Sequence, residues 1–171
     1  MRTLVIVAIT AMVFLMTSFN YKFSDHSIAK SITCDSVPAL NKQLVAFVKT
    51  KIGQKIGKGE CWDLAAEALN KTNAKWDGNY NFGKEINYKR DCMYPGDIMQ
   101  FEGVILKYQI GTKIYMEKMD HHTAIIYEVK GKEELVMADQ NTGRSGKKVG
   151  LSPFNFKDMT KGKFKVFRPI L

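Results

Sequence analysis

Apolar positions change their period twice along this chain. From Leu4 to Met16 they form one run, broken only by Thr10 and preceded by Arg2. The run is shorter than the ~20 apolar residues a spanning helix needs and has the proportions of a secretory leader. It predicts a signal peptide over residues 1–18. An uncleaved anchor is the alternative, because Thr17-Ser18-Phe19-Asn20 lacks a small-x-small cleavage pattern. Residues 19–36 read as an extended arm.

Pro38 then suits the first turn of a helix, and Leu40, Leu44, Phe47, Val48 and Ile52 recur at three- and four-residue steps before Gly53. A second stripe, Leu64, Ala65, Ala68 and Leu69, predicts a helix from about Cys61 to Thr72. After Pro95-Gly96-Asp97 the period becomes two. Strands are predicted at Ile98–Phe101, Val104–Gln109, Lys113–Glu117, Thr123–Val129, Glu134–Ala138, Lys147–Leu151 and Phe164–Phe167. Ile110-Gly111-Thr112 and Lys130-Gly131-Lys132 are the hairpin turns. Between the two regimes, residues 73–94 form a long irregular segment carrying Trp76, Tyr80, Phe82 and Tyr88, which either walls a cleft or covers the core. Helices first and an antiparallel sheet after give an α+β domain over residues 37–171.

Charge adds one expectation. Lys and Arg number 26 against 17 Asp and Glu, a formal net charge of +9. Such a surface suits an anionic partner or is simply a solvated lysine-rich face. The lysines are scattered along the sequence and no nucleic-acid motif accompanies them, so specific nucleic-acid binding is set aside. No cofactor motif is present, and after removal of the leader no membrane span is expected.

The candidate chemistry starts at Cys61, in Gly57-Lys58-Gly59-Glu60-Cys61-Trp62 at the head of the second helix. Unpaired backbone N–H groups and the positive end of the helix dipole favour a thiolate there. His122 stands at the head of a β-branched stretch, and Asp139-Gln140-Asn141 closes the next strand. A two-residue turn at Lys130-Gly131 sets His122 opposite Asp139, and a turn shifted by one sets it opposite Asn141. Either way Asp139 and Asn141 share the face of His122 and Gln140 points away, whereas an odd-length loop would bring Gln140 across. His121 faces the other side. A thiol, an imidazole and an acid or amide in this order form a nucleophile, base and orienting group. Metal binding is the other use of these residue types, but no close C-x-x-C or H-x-x-x-H pair supports it. With Cys61 as nucleophile, Cys34 and Cys92 remain as a disulfide pair. The alternative is that all three cysteines are small core hydrophobes.

These segments resemble the papain-like NlpC/P60 and CHAP amidase-peptidases. The carriers are Gly59-Glu60-Cys61, Pro95-Gly96-Asp97, His122-Thr123-Ala124-Ile125 and Asp139-Gln140-Asn141. A closer resemblance is to the cysteine-proteinase-fold domain of fungal actin-patch proteins of the BBC1/AIM3 type. It rests on Gly59 to Ala65, Pro95 to Phe101, His121 to Ala124, Gln140-Asn141 and Phe167-Arg168-Pro169.

The resemblance implies a papain-like fold, with N-terminal helices packed on an antiparallel sheet. The expected activity is that of a secreted or periplasmic cysteine amidase or endopeptidase. Cys61 is its nucleophile, His122 its base, and Asp139 or Asn141 the orienting group. The Cys61 N–H, with Gln54, is expected to form the oxyanion hole, and Trp62 and Gln140 to contact substrate. Peptidoglycan stem peptides are the expected substrate. The competing expectation is a catalytically silent module that binds a peptide or protein in the same cleft.

Overall fold

A computed structural model describes Cys34 and residues 36–171. The expected leader and nearly all of the expected arm lie outside the described residues. Helix α1 spans Ala39–Lys51 and α2 spans Asp63–Lys71. The strands are β1 (Lys84–Ile86), β2 (Ile98–Ile110), β3 (Lys113–Gly131), β4 (Glu134–Asp139), β5 (Gly150–Asn155) and β6 (Met159–Arg168). They form one six-stranded sheet in the order β1-β6-β2-β3-β4-β5. Every neighbouring pair in it is antiparallel.

The helical stripes pack as their period dictates. Leu40, Leu44 and Val48 of α1 and Leu64, Ala65, Ala68 and Leu69 of α2 meet Ile98, Ile125, Ala138 and Phe167 on one face of the sheet. Ile52 falls outside that stripe: α1 ends at Lys51 and Ile52 is 39% exposed. Gly53 then turns the chain with φ +81°, and its N–H donates to Val149 O. The other face holds a second core of Met99, Phe101, Ala124, Ile126, Met137, Phe154, Phe164 and Val166. Phe101 and Phe154 approach to 5.3 Å between ring centroids although β3 and β4 separate their strands. Three strand spacings in a flat sheet would hold β2 and β5 ~14 Å apart, so the sheet coils on itself.

The strands correct the sequence expectation in length more than in place. The four short strands expected between Ile98 and Val129 are two long ones. β2 passes through a bulge at Gly103 (φ +59°), where its register with β6 shifts between Glu102 and Ile105. The glycine absorbs a backbone turn that would otherwise end the ladder. His122 therefore sits in mid-strand, not at a strand head. The β3–β4 turn falls at Lys132-Glu133, since Gly131 pairs with Glu134. β5 runs later than expected, and β1 emerges inside the segment read as irregular.

Two sequence motifs prove to be one brace. Asp97 of the Pro-Gly-Asp turn accepts from Arg168 Nε (3.1 Å) and Nη2 (2.8 Å), from Tyr94 N (2.9 Å) and from Asn41 Nδ2 (2.7 Å). Gly96 (φ +89°) lies so close to α1 that a Cβ would come within 2.5 Å of Asn41 O. The brace joins α1, the head of β2 and the end of β6. Arg168 also donates to Cys92 O, and Cys92 is bonded to Cys34 with a Cα–Cα distance of 5.7 Å.

Candidate active site

The helix expected from about Cys61 starts at Asp63, so Cys61 lies in the turn immediately before α2. Two side chains hold that turn from opposite sides. Asp63 Oδ2 accepts from Lys58 N (2.8 Å) and Glu60 N (3.0 Å). Gly57 (φ +55°) admits this contact, because a Cβ there would stand 2.7 Å from the same carboxylate oxygen. From the sheet side, Gln140 Nε2 donates to Ile56 O (3.0 Å) and Glu60 O (2.8 Å), and its Oε1 accepts from Ile56 N (3.2 Å). Both Gln140 amide hydrogens are thus taken, and the side chain is fully buried. It braces the nucleophile turn, and neither amide hydrogen is free for the substrate contact expected of it.

His122 and Asp139 approach from β3 and β4. His122 Nε2 donates to Asp139 Oδ2 at 3.1 Å, both residues being buried. The ladder pairs Ile125 with Ala138, the register that would set Asn141 across from His122. Asn141 instead leaves the strand in the left-handed region (φ 63°) and donates its Nδ2 to Glu60 Oε2 (3.0 Å). The imidazole reaches diagonally to Asp139, within the span cross-strand neighbours allow. Ser152 Oγ of β5 donates to the other carboxylate oxygen at 3.2 Å. Ser152 was not singled out in the sequence, where a lone serine in a strand carries no signal.

The electrostatics follow from this geometry. Burial opposes a charge on His122, but the hydrogen bond to Asp139 and then that with Cys61 outweigh it, raising its pKa to about 9. Burial also pushes the Cys61 thiol up. Hydrogen bonds from His122 and from the backbone N–H of Thr123 and Trp62 more than reverse this, and the thiol titrates below its ordinary value. Both shifts favour a thiolate beside an imidazolium.

Other expected site residues take different places. Gln54 is exposed, and its Nε2 donates to Thr50 O (2.8 Å), turned back on α1. It is therefore not an oxyanion donor in this arrangement. Trp62 stands beside the thiol in an aromatic group with Trp76 (6.1 Å) and Tyr80 (6.2 Å). The segment that carries Trp76 and Tyr80 covers the core through Phe82, and its Tyr80 meets the edge of the His121 ring at 4.2 Å. His121 pairs with Glu102 (3.0 Å), and its carbonyl lies 3.8 Å from Cys61 Sγ. Among the described residues no group of three or more His, Cys, Asp or Glu is arranged to hold a metal ion.

A cysteine in the turn ahead of a helix, facing a sheet-borne histidine and acid on a coiled antiparallel sheet, places the chain among the cysteine-proteinase folds. Residues 38–171 match the family described as the AIM3/BBC1 cysteine proteinase-fold domain, and the chain belongs to that family. It is 28% identical over 172 residues to altered inheritance of mitochondria protein 3 of Debaryomyces hansenii. The match covers 87% of this chain and 18% of that relative, so the chain spans under a fifth of the relative's length. A crystal structure of Ly7917 superposes with a TM-score of 0.45 at 15% identity, covering 74% of this chain and 62% of that one. Ly7917 with the hydrolyzing product of MDP gives 0.46 at 16% identity, covering 75% and 62%.

These findings correct one expectation. The chain was expected to be secreted or periplasmic, and a yeast relative named for altered inheritance of mitochondria points away from secretion. No helix among the described residues is long and apolar enough to cross a membrane.

Proposed function

We propose that this domain is a cysteine amidase or endopeptidase. The observation that carries the reading is the chain of contacts from Cys61 through the His122 ring to Asp139, with the thiol lowered and the imidazole raised. The Cys61 thiolate attacks the carbonyl carbon of a peptide bond, and a C–S bond forms as the carbonyl oxygen takes the negative charge. The backbone N–H of Cys61, which has no partner among the described hydrogen bonds, supplies one donor to that oxyanion, worth ~3 kcal/mol. His122, held as the imidazolium by Asp139, gives its proton to the leaving amine and the C–N bond breaks. The neutral imidazole then takes a proton from water, which attacks the thioester and releases the acid and the thiolate.

The site selects an amide bond and not the chain that carries it. The substrate screen therefore spans peptidoglycan stem peptides and ordinary polypeptides. The first test is the rate of iodoacetamide alkylation of the purified protein against pH, with labelled positions identified by mass spectrometry. Selective labelling of Cys61 below about pH 7, lost in His122→Ala, supports the activated nucleophile. Labelling that rises only near the ordinary thiol range, ~8.5, rejects it and leaves a domain that binds in this cleft without cutting.

A further inference from the structure

The helices cover only part of the sheet face on which they pack. They pack against Ile98, Ile125, Ala138 and Phe167, and beyond Glu102 and His121 no described helix packs on the same face. Register fixes what that open part presents. Lys163 pairs with Glu102, which pairs with His121, and the next row is Lys161, Ile105 and Lys118. Beyond it come Lys107 with Met116 and Gln109 with Ile114. The Gly103 bulge keeps these rows on one face while the sheet coils. Met116 is 61% exposed and Ile114 65%. Among the described residues Lys107, Lys118, Lys161 and Lys163 have no carboxylate partner, and Glu102 is engaged by His121. Lysines scattered through the sequence are thus gathered by the β2, β3 and β6 pairings into one strip. Its upper end is His121, whose carbonyl lies against the Cys61 sulfur.

We propose that this strip binds an extended, acidic stretch of polypeptide and leads it to Cys61, an inference that rests on the hydrolase reading above for its second half. Same-face residues along a strand recur every ~6.7 Å, the repeat of alternate side chains in an extended peptide. Carboxylates at that repeat meet the lysines, and apolar residues between them cover Ile105, Met116 and Ile114. Opposite charge steers encounter and fixes direction along the strip. Below His121 the strip presents neither arginine nor an aromatic ring, the groups that stack on nucleic-acid bases, so a polypeptide fits it better than a nucleic acid.

The test is fluorescence anisotropy with a short synthetic peptide alternating Glu and Leu, set against its Lys/Leu counterpart and phosphatidylserine vesicles. The acidic peptide alone is expected to bind, more weakly as salt rises. Lys107→Glu/Lys118→Glu/Lys161→Glu weakens it about tenfold or more. Lys42→Glu/Lys49→Glu/Lys71→Glu, on α1 and α2, makes the same change in net charge and leaves binding intact. Should the reversed strip fail to fold, the Lys→Gln triple replaces it, with a smaller loss in the same direction. Equal loss in both triples, strip-dependent binding to the vesicles alone, or no binding overturns the proposal. Cys61 alkylation separates the two readings. An inert thiol with strip-dependent binding removes the hydrolase and keeps the strip, and a reactive thiol without it does the reverse.

Discussion

The two halves of the candidate site are held by different physics. Cys61 sits on a short turn with little backbone pairing of its own, fixed by the side chains of Asp63 and Gln140. His122 and Asp139 sit on strands whose hydrogen-bonded ladders define their faces. A polar clamp positions its target only while each of its hydrogen bonds is intact. A ladder distributes the same task over many bonds and tolerates the loss of one side chain. The nucleophile turn is therefore the fragile half, and the strand pair the robust one.

The largest expected effect comes from breaking the clamp. Gln140→Leu leaves Ile56 N without a partner, takes one of two donors from each of Ile56 O and Glu60 O, and should cost about 3 kcal/mol in chemical denaturation. Cys61 labelling should lose its selectivity in the same variant. Next comes the pH dependence carried by the strand pair. A histidine titrating near 9 when folded and near 6.5 when unfolded binds its proton more tightly in the native state. Its stabilisation is full below ~6.5 and disappears as pH rises through ~9. Cys61 acts with the opposite sign, so the slope is best read in Cys61→Ser, where about 2 kcal/mol should be lost across that window. Asp139→Asn, by removing the largest influence that raises His122, should flatten it.

Ser152→Ala is a milder probe of the same pair. It frees one oxygen of Asp139 and should cost about 1 kcal/mol, with a small change in the pH profile of Cys61 alkylation. A purely structural hydroxyl would leave the profile unchanged. Smallest of all, Gln54→Ala should alter neither stability, within about 0.5 kcal/mol, nor Cys61 labelling, since its amide only caps α1. A clear loss of reactivity there would restore Gln54 to the oxyanion hole.

Much of the framework is legible in sequence because it is local. The stripes on α1 and α2, the change of period after Pro95 and the glycine turn ahead of Cys61 each lie within a dozen residues. The face shared by His122 and Asp139 follows from strand alternation alone. Side-chain commitments are not local. Gln140 reads as a polar residue near a site until the loop 84 residues away is seen to consume its amide. Asn141 reads as equivalent to Asp139 until its backbone leaves the ladder. β2 and β3 read as four short strands because a bulge interrupts alternation without interrupting pairing.

By itself, then, the sequence determined the order of elements, their apolar faces and the residue types able to do thiol chemistry, since periodicity and local backbone preference are written in neighbouring residues. Only the tertiary structure decided which acid the histidine meets, which glutamine braces the nucleophile and which lysines stand together. Those choices depend on the register of strands and on competition for each hydrogen-bonding group, and both are settled between segments far apart in the chain.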